Sequence, residues 1–312
     1  MNRRNRKELA SLSDRGDDQG PNHRGEATDV TEQRTKPDPS GSMAANPLIR
    51  AFLRAIQLGA DLASVASCHL VRWTGKSTQA IHPKHLLPDA LPAWYVPLVR
   101  PGDCVLDLGT GVGAHAVRCA RAGAQVIAAD LNEKNLAKAK SFVAGEKFLY
   151  GQDARATVRL MRCDATKGLP FQSEIFTGAL LLDVLEHLPD PVATLRECVR
   201  VLRPGAWLAM ALPNSQTKWK QRYRRAGLFW MSDRDHKHEY TWPEIVDLLR
   251  SVGLRVQSGP EPIVLDTPWT GLIDLVGGIS LRLYRRLIAW RATVLARSPQ
   301  DTTGFRCVAI RP

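Results

Sequence analysis

Short apolar runs alternate with segments of helical periodicity over residues 104–310, and this alternation organises the chain. Helices are predicted where apolar residues recur every three or four positions, at Val112–Arg121, Leu131–Val143, Pro191–Leu202 and Thr241–Val252. Strands are predicted for seven runs, Cys104–Leu108, Gln125–Asp130, Val158–Cys163, Ile175–Asp183, Ala206–Leu212, Leu254–Gln257 and Phe305–Ile310. Such alternation is typical of a parallel sheet covered by helices on both faces. The predicted fold class is α/β, a doubly wound, mostly parallel seven-stranded sheet.

The positive charge of the chain is unevenly distributed. The formal net charge is +12, but the first 46 residues hold eight Lys or Arg and eight Asp or Glu. The whole excess therefore falls after residue 46, where it favours anionic partners such as nucleic acid, acidic lipid headgroups or phosphorylated substrates. Simple solubility explains the same excess equally well.

Two basic segments stand out. Lys218–Arg225 carries five positive charges, and Leu281–Arg297 carries five arginines, both without an acidic residue. The second also has an apolar helical stripe, Leu283, Tyr284, Leu287, Ile288, Val294 and Leu295. A basic amphipathic helix can lie on an anionic membrane, and it can equally serve as a lid helix packed on the sheet, which is the favoured interpretation.

The six cysteines include no Cys-x-x-Cys pair, and five fall in segments predicted to be buried. They are therefore interpreted as reduced core residues, which is typical of a cytoplasmic protein, and no metal site is predicted. The most apolar stretch, Leu48–Val71, is interrupted by three charged residues, so no membrane span is predicted. No signal peptide is visible at the basic N-terminus.

The stretch Val105–Gly113 carries the most specific chemistry. The predicted strand holds Asp107, and Gly109, Gly111 and Gly113 follow at alternate positions. Strand, glycine turn and helix bring a backbone close to a ligand, because glycine adds no Cβ and tolerates positive φ. A carboxylate beside the turn would repel a pyrophosphate and suits a cationic ligand. The glycine spacing therefore disfavours an NAD-dependent dehydrogenase.

This motif resembles that of the class I methyltransferases, which use S-adenosylmethionine, and the resemblance extends over about half the chain, Gly102–Gly253. It implies a Rossmann-like methyltransferase fold. Asp107 would hold the α-amino group of the cofactor, Asp130 the ribose hydroxyls and Asp164 the adenine amino group. The cofactor-binding residues implied are Asp107, Gly109, Thr110, Gly111, Gly113, Asp130, Leu131, Asp164, Ala165, Asp183 and Val184.

The segment Leu180–Pro191 resembles the fourth-strand motif of the small-molecule branch, which includes quinone-ring methyltransferases. Asp183 and Val184 would lie beside the transferable methyl group. An acidic residue that the family usually has early in this strand is absent. A base is needed if the acceptor is a hydroxyl or a protonated amine, and the candidate catalytic residues are His187 and His238. In the His236–Thr241 segment, either His236 or His238 can line the pocket.

The resemblance also suggests how the chain is divided. A disordered tail is predicted at 1–46, a helical cap at 47–100, and the S-adenosylmethionine-binding domain at 101–312, with a helical insert at about 260–300. The leading hypothesis is a methyltransferase acting on a small molecule or on a lipid- or sugar-linked acceptor, with possible peripheral contact with an anionic membrane. The alternatives are an RNA methyltransferase, disfavoured because no base-binding motif or RNA-binding module is visible, and a cofactor-binding regulatory protein without catalysis.

Overall fold

The computed structural model of the protein describes residues 46–77, 80, 82–87, 93–150 and 158–312. All of these residues belong to one unit. The tail predicted at 1–46 lies outside the described residues except for Asn46, so its disorder stays a prediction. The description below concerns the remaining residues alone.

Seven strands form one sheet in the order β3-β2-β1-β4-β5-β7-β6. Strands β1 to β5 pair with one another in parallel, and β7 runs antiparallel to both β5 and β6. The predicted α/β fold with a mostly parallel seven-stranded sheet is therefore confirmed. The strands are β1 Cys104–Leu108, β2 Gln125–Asp130, β3 Val158–Arg162, β4 Phe176–Leu182, β5 Leu202–Pro213, β6 Arg255–Pro262 and β7 Gly304–Ile310.

The helices begin where the sequence supplies capping groups. The Asn46 side chain accepts from the Leu48 N–H and starts the first helix. Thr241 and Glu244, three residues apart, form a capping box at the start of another helix. The helices in the described residues are α1 Pro47–Trp73, α2 Ala114–Arg121, α3 Glu133–Tyr150, α4 Pro191–Val201, α5 Lys218–Arg225, α6 Trp242–Ser251, α7 Thr270–Ile279 and α8 Leu281–Arg297.

The central strands are buried on both faces, as a doubly wound sheet requires. Leu106, Leu180 and Leu208 have no exposed surface. On β4, a Cβ at Gly178 would lie 2.1 Å from the ring of Trp207 on β5. Glycine here therefore makes room for a tryptophan, and it stands in the part of the strand where the family's acidic residue is missing.

Helices α1 and α7 pack closely because glycines face the contact. A Cβ at Gly271 would lie 2.3 Å from the carbonyl oxygen of Ala60, and one at Gly278 would lie 2.7 Å from Cβ of Leu70. Helix α8 follows and turns part of its apolar stripe inward, with Tyr284 buried. The insert thus packs onto α1 through α7, as a lid helix would.

Candidate functional site

The glycine turn lies at the carboxyl end of β1. All three glycines have positive φ, at +75° for Gly109, +56° for Gly111 and +81° for Gly113. The N–H groups of Gly109 and Thr110 both donate to the carbonyl oxygen of Ala129 on β2. A Cβ on Gly111 would have open space before it. The turn is therefore tied to β2 and presents bare backbone to any ligand at this edge of the sheet.

Asp107 is buried at the end of β1, with 2% of its surface exposed. Thr110 Oγ1 donates to its carboxylate at 2.6 Å, and the Ala116 N–H also bonds it. Both donors are neutral, so burial dominates and raises the pKa of Asp107 to about 6. Such a carboxylate would be stabilised by a cationic ligand.

Asp130 ends β2 and joins that strand to the glycine turn. Its Oδ2 accepts from the Gly111 N–H at 2.8 Å, and its Oδ1 accepts from the Asn132 N–H at 2.8 Å. The Asn135 amide lies 3.3 Å from both oxygens. Because the Asn135 contacts are long, a ligand hydroxyl that displaced them could donate to either carboxylate oxygen. The adjacent Leu131 side chain is exposed.

Asp164 follows β3 and caps the short helical turn Ala165–Lys167. Its Oδ1 accepts from the Thr166 hydroxyl at 2.6 Å and from the Thr166 N–H at 3.1 Å. These bonds, together with the Lys167 ammonium 3.4 Å from Oδ2, lower the pKa of Asp164. The carboxylate lies where the sequence predicted it, but its hydrogen bonds are local ones.

The turn after β4 meets the glycine turn. Asp183 has a φ of +54°, and its N–H donates to the carbonyl oxygen of Ala211 on β5. A Cβ on Gly109 would lie 2.3 Å from Cγ2 of Val184. Glycine at 109 is thus required for close packing of the two turns. The structure therefore brings together the residues predicted to bind the cofactor and those predicted to flank its methyl group.

Three side chains that offer a proton acceptor or a cation ligand gather beside Asp183. The ligand atoms of Glu186, His187 and His236 all lie within 4.8 Å of one another. His236 Nε2 is 3.9 Å from Glu186 Oε1, and the two imidazole rings meet edge to face at 4.7 Å. At this spacing the three side chains can share a proton or a divalent cation.

Glu186 is an unusual member of this cluster because it is almost completely buried. It is 1% exposed, and its Oε2 has no hydrogen-bond partner among the described residues. Burial raises the pKa of Glu186 to about 8. A buried carboxyl without a partner is costly in a folded protein and points to a group that functions with a ligand or a proton.

A second buried carboxylate fixes His236. Glu239 accepts from His236 Nδ1 at 2.9 Å, from the Ser232 N–H and from the buried Lys220 ammonium on α5. Burial opposes ionisation of Glu239, but Lys220 and the other donors outweigh it and lower its pKa. An ionised Glu239 favours a proton on Nδ1, so Nε2 is the ring nitrogen that faces Glu186 in the cluster.

His238, the other histidine of this segment, lies outside the cluster. Its side chain is 54% exposed, and its Nε2 is 3.5 Å from Glu244 Oε1 at the start of α6. The sequence left His236 and His238 as equal candidates, and the structure places His236 with His187. Sequence reasoning missed Glu186, Glu239 and Lys220, although the Glu-His pair inside the fourth-strand motif was a visible signal.

Comparison with known proteins gives a match for this part of the chain. Residues 106–210 match the family of methyltransferase domains. A ubiquinone biosynthesis O-methyltransferase from Hahella chejuensis is 32% identical over 118 residues, covering 38% of this chain and 46% of that protein. One from Parvibaculum lavamentivorans is 36% identical over 122 residues, covering 38% and 45%. The chain spans about half the length of these curated relatives.

Solved structures share the fold at low sequence identity. A SAM-dependent methyltransferase from Methanosarcina mazei superposes with a TM-score of 0.50 at 18% identity, covering 70% of this chain and 97% of that one. This likeness concerns the fold alone. Together with the family match, it confirms the resemblance to class I methyltransferases that Asp107–Gly113 predicted.

Proposed function

From the match of residues 106–210 to the methyltransferase domains, we propose that the protein transfers a methyl group from S-adenosylmethionine to a hydroxyl of a small or amphiphilic acceptor. The observation that carries this proposal is the contact between two turns at one edge of the sheet. One turn holds Asp107 and the bare glycine backbone, and the other leads into the Glu186–His187–His236 cluster.

The glycine turn fits the amino-acid part of the cofactor. The α-amino group is the cation that the buried carboxylate of Asp107 requires, and the open space at Gly111 admits the chain beside it. Asp130 lies at the same turn, and the ribose hydroxyls would replace its long contacts from the Asn135 amide. Thr110 and Gly113 shape the same turn, since Thr110 orients Asp107 through its hydroxyl and Gly113 starts α2 in the left-handed conformation.

The remaining cofactor-binding residues are assigned by position. Leu131 is an exposed apolar side chain directly after Asp130, suited to cover a ring. Asp164 and Ala165 follow β3, where a carboxylate and a backbone carbonyl can face the adenine amino group. Val184 packs against Gly109 of the glycine turn and Asp183 directly precedes Val184, so we assign both to the reactive end of the cofactor.

When bound, S-adenosylmethionine supplies a methyl group already activated by its sulfonium, so the protein has to align the acceptor and remove its proton. We assign the proton acceptor to His236 Nε2. Glu239 stabilises the imidazolium that forms, and Glu186 Oε1 lies 3.9 Å from His236 Nε2. His187 forms the other wall of this cluster through its ring contact.

The acceptor class follows from the relatives and from the absence of a nucleic-acid motif. The matched relatives are named for O-methylation in ubiquinone biosynthesis, which supports a small ring hydroxyl over an RNA base. A cytoplasmic location belongs to the same proposal, because all six cysteines are free thiols. The helical cap at 47–100 and the insert at about 260–300 would then cover the cofactor domain.

The test is transfer of a labelled methyl group, with two neighbouring histidines as a matched pair. Purified protein is incubated with methyl-labelled S-adenosylmethionine and a small-molecule extract, and labelled products are identified by mass spectrometry. We expect His236→Asn to lower product formation about 100-fold or more, within the range for loss of a general base. His238→Asn should leave it within twofold, because that side chain is exposed and outside the cluster.

Equal loss in the two variants would contradict the assignment of His236. Labelling of RNA but of no small molecule would contradict the acceptor class. Activity that EDTA abolishes and Mg²⁺ restores would show that the cluster works through a cation rather than through proton transfer alone.

A further inference from the structure

Helix α1 is apolar on two opposite sides. Its inner side, which includes Leu53, Ala63 and Val71, is buried. Its outer side exposes six large apolar side chains. Five of them have 54–77% of their surface exposed, namely Leu48, Phe52, Leu58, Leu62 and Val65, and the sixth, Trp73, has 84% exposed. A soluble surface helix is ordinarily polar on the side away from the core. An exposed apolar stripe of this length is therefore typical of an interaction surface.

An apolar groove adjoins the start of this stripe. It has a volume of about 340 Å³ and lies between α1 and α5. Its lining residues are Ile49, Phe52, Leu53, Trp219, Arg222, Arg225 and Ala226. Arginine also stacks on tryptophan here, with the guanidinium carbon of Arg222 4.5 Å from the Trp219 ring centre and that of Arg224 3.9 Å from the Trp230 ring centre.

The charges around this surface are almost all positive. Helix α1 carries Arg50, Arg54 and Arg72 against a single acidic residue, Asp61, and α5 carries no acidic residue at all. All three of these α1 arginines are exposed. Tryptophan and arginine together with an apolar stripe are the side chains that favour the boundary between lipid headgroups and acyl chains.

We propose that the outer face of α1, together with the groove against α5, docks onto a membrane surface that contains anionic lipid. With 27 residues, α1 is about 40 Å long, and it would lie in the plane of the headgroups. In the described residues no helix is long and apolar enough to cross a bilayer. A second copy of the chain is the weaker candidate, because a symmetric contact would place the arginines of one copy against the same arginines of the other.

This surface differs from the one that the sequence suggested. The apolar stripe of α8 had two interpretations from the sequence, a membrane contact and the favoured lid helix, and Tyr284 and Leu295 of that stripe are buried in the fold. Arg291 is also buried, where its guanidinium donates to the carbonyl oxygen of Leu265. Helix α8 thus uses much of its stripe for packing, whereas the large apolar side chains on the outer face of α1 remain more than half exposed.

The inference goes beyond methyl transfer and can be tested without it. The full chain is mixed with vesicles of phosphatidylglycerol and phosphatidylcholine, and with vesicles of phosphatidylcholine alone, and bound protein is measured by flotation. We expect binding to the anionic vesicles only, with a strong decrease as salt is raised. The variant Phe52→Ser/Leu58→Ser/Leu62→Ser should bind at least about tenfold more weakly, because those side chains would enter the lipid.

Two charge variants separate this face from α8. Arg50→Gln/Arg54→Gln/Arg222→Gln should weaken binding by about fivefold per charge. The matched variant Arg282→Gln/Arg285→Gln/Arg286→Gln removes the same charge from exposed positions of α8 and should lose far less. Unchanged melting temperatures will show that the variants are folded, and unchanged cofactor affinity will separate lipid docking from the proposed methyl transfer.

Four results would overturn the inference. One is that the wild-type protein does not bind anionic vesicles. Another is that the α1 apolar variant binds them as strongly as the wild type does. The third is a wild-type dimer, seen by light scattering, that becomes monomeric in the α1 apolar variant, since this would assign the face to a second copy. Binding that disappears when residues 1–45 are removed would likewise assign the contact to that segment.

Discussion

At the scale of single residues, Asp107 shows how the site trades stability for binding. A buried carboxylate bonded by neutral donors favours its protonated form, which is why its pKa is raised to about 6. Ionised Asp107 therefore destabilises the protein without cofactor at neutral pH. A cationic ligand would neutralise this charge. Ligand binding would then remove the destabilisation of the folded protein, which raises the affinity for the ligand.

We therefore expect Asp107→Asn to stabilise the protein without cofactor and to weaken cofactor binding. The folded-state pKa lies above the unfolded value of 3.8, so the destabilisation is absent below pH 4, grows between pH 4 and 6, and is complete above pH 7. The gain in unfolding free energy should be about 1–3 kcal/mol at pH 7.5 and near zero at pH 4.

Thermal melts at the two pH values measure this difference, with Asp247→Asn on the exposed surface of α6 as the control. Calorimetry at pH 7.5 should show affinity for S-adenosylmethionine reduced by about 1–3 kcal/mol. A variant that melts lower than wild type at pH 7.5 would contradict the stated role of burial. Unaltered affinity, or tight NADH binding with no response to S-adenosylhomocysteine, would contradict the role of Asp107 in the cofactor site.

At the scale of elements, the glycine turn and the turn after β4 (the β4 turn) pack together as one unit. Gly109 and Gly111 both have positive φ, yet only Gly109 lies against another side chain, because Cγ2 of Val184 occupies the place of its missing Cβ. The two glycines therefore separate two effects that usually occur together. Substitution of Gly111 by alanine tests backbone strain alone, whereas substitution of Gly109 tests strain together with packing against the neighbouring turn.

We expect Gly109→Ala to cost more unfolding free energy than Gly111→Ala. The shared strain of an alanine at positive φ is about 1–2 kcal/mol, and overpacking against Val184 adds about 1–3 kcal/mol at position 109 alone. Chemical denaturation of both variants measures the difference. In a Val184→Ala background the excess at Gly109 should shrink to near zero, and an excess that persists there would contradict the packing explanation.

Sequence patterns predicted the elements well because their causes are local. Strand periodicity, the glycine turn and the Thr241–Glu244 capping box each depend on a few neighbouring residues, and the structure contains all seven predicted strands. Two strands are several residues longer than predicted, since β5 begins at Leu202 rather than Ala206 and β6 ends at Pro262 rather than Gln257.

The choice between His236 and His238 depended on a distant contact. The N–H groups of Lys237 and His238 both donate to the carbonyl oxygen of Glu186, which lays this loop on the β4 turn. No spacing within the loop encodes that contact.

The burial of Lys220 is a further feature that tertiary contacts determine and the local sequence does not. Lys220 belongs to a segment whose five positive charges indicate a solvated surface, yet it is 6% exposed and pairs with Glu239. That pair fixes α5 to the loop that carries His236. A composition argument treats the five charges alike, whereas the fold buries one and leaves Arg222, Arg224 and Arg225 on the surface.

At the scale of the whole molecule, two surfaces carry the chemistry. The carboxyl edge of the sheet holds the carboxylates and the histidine cluster, and the outer side of α1 holds the apolar stripe. The parallel strands make the first surface, since turns that follow neighbouring strands meet at one edge. The second arises because the insert covers only the inner side of α1, through the glycines of α7.

Residues 1–45 contribute no comparable apolar surface. Their branched apolar residues are Leu9, Leu12 and Val30, and their charges balance. Such a composition cannot bury enough surface to offset the entropy of ordering the segment. We therefore expect removal of residues 1–45 to leave the melting temperature within about 1 °C, because a destabilisation of a few tenths of a kcal/mol is the most that it can cause.

A longer deletion supplies the matched control. Removing residues 1–56 also deletes Asn46, which caps α1, and the apolar side chains Ile49, Phe52 and Leu53 that line the groove. That variant should melt several degrees lower, because buried Leu53 and the helix cap together contribute about 2–4 kcal/mol. Differential scanning calorimetry of both deletions makes the comparison. A large fall in melting temperature or cofactor affinity already at the shorter deletion would show that the first 45 residues pack on the domain, and the boundary at residue 46 would then be wrong.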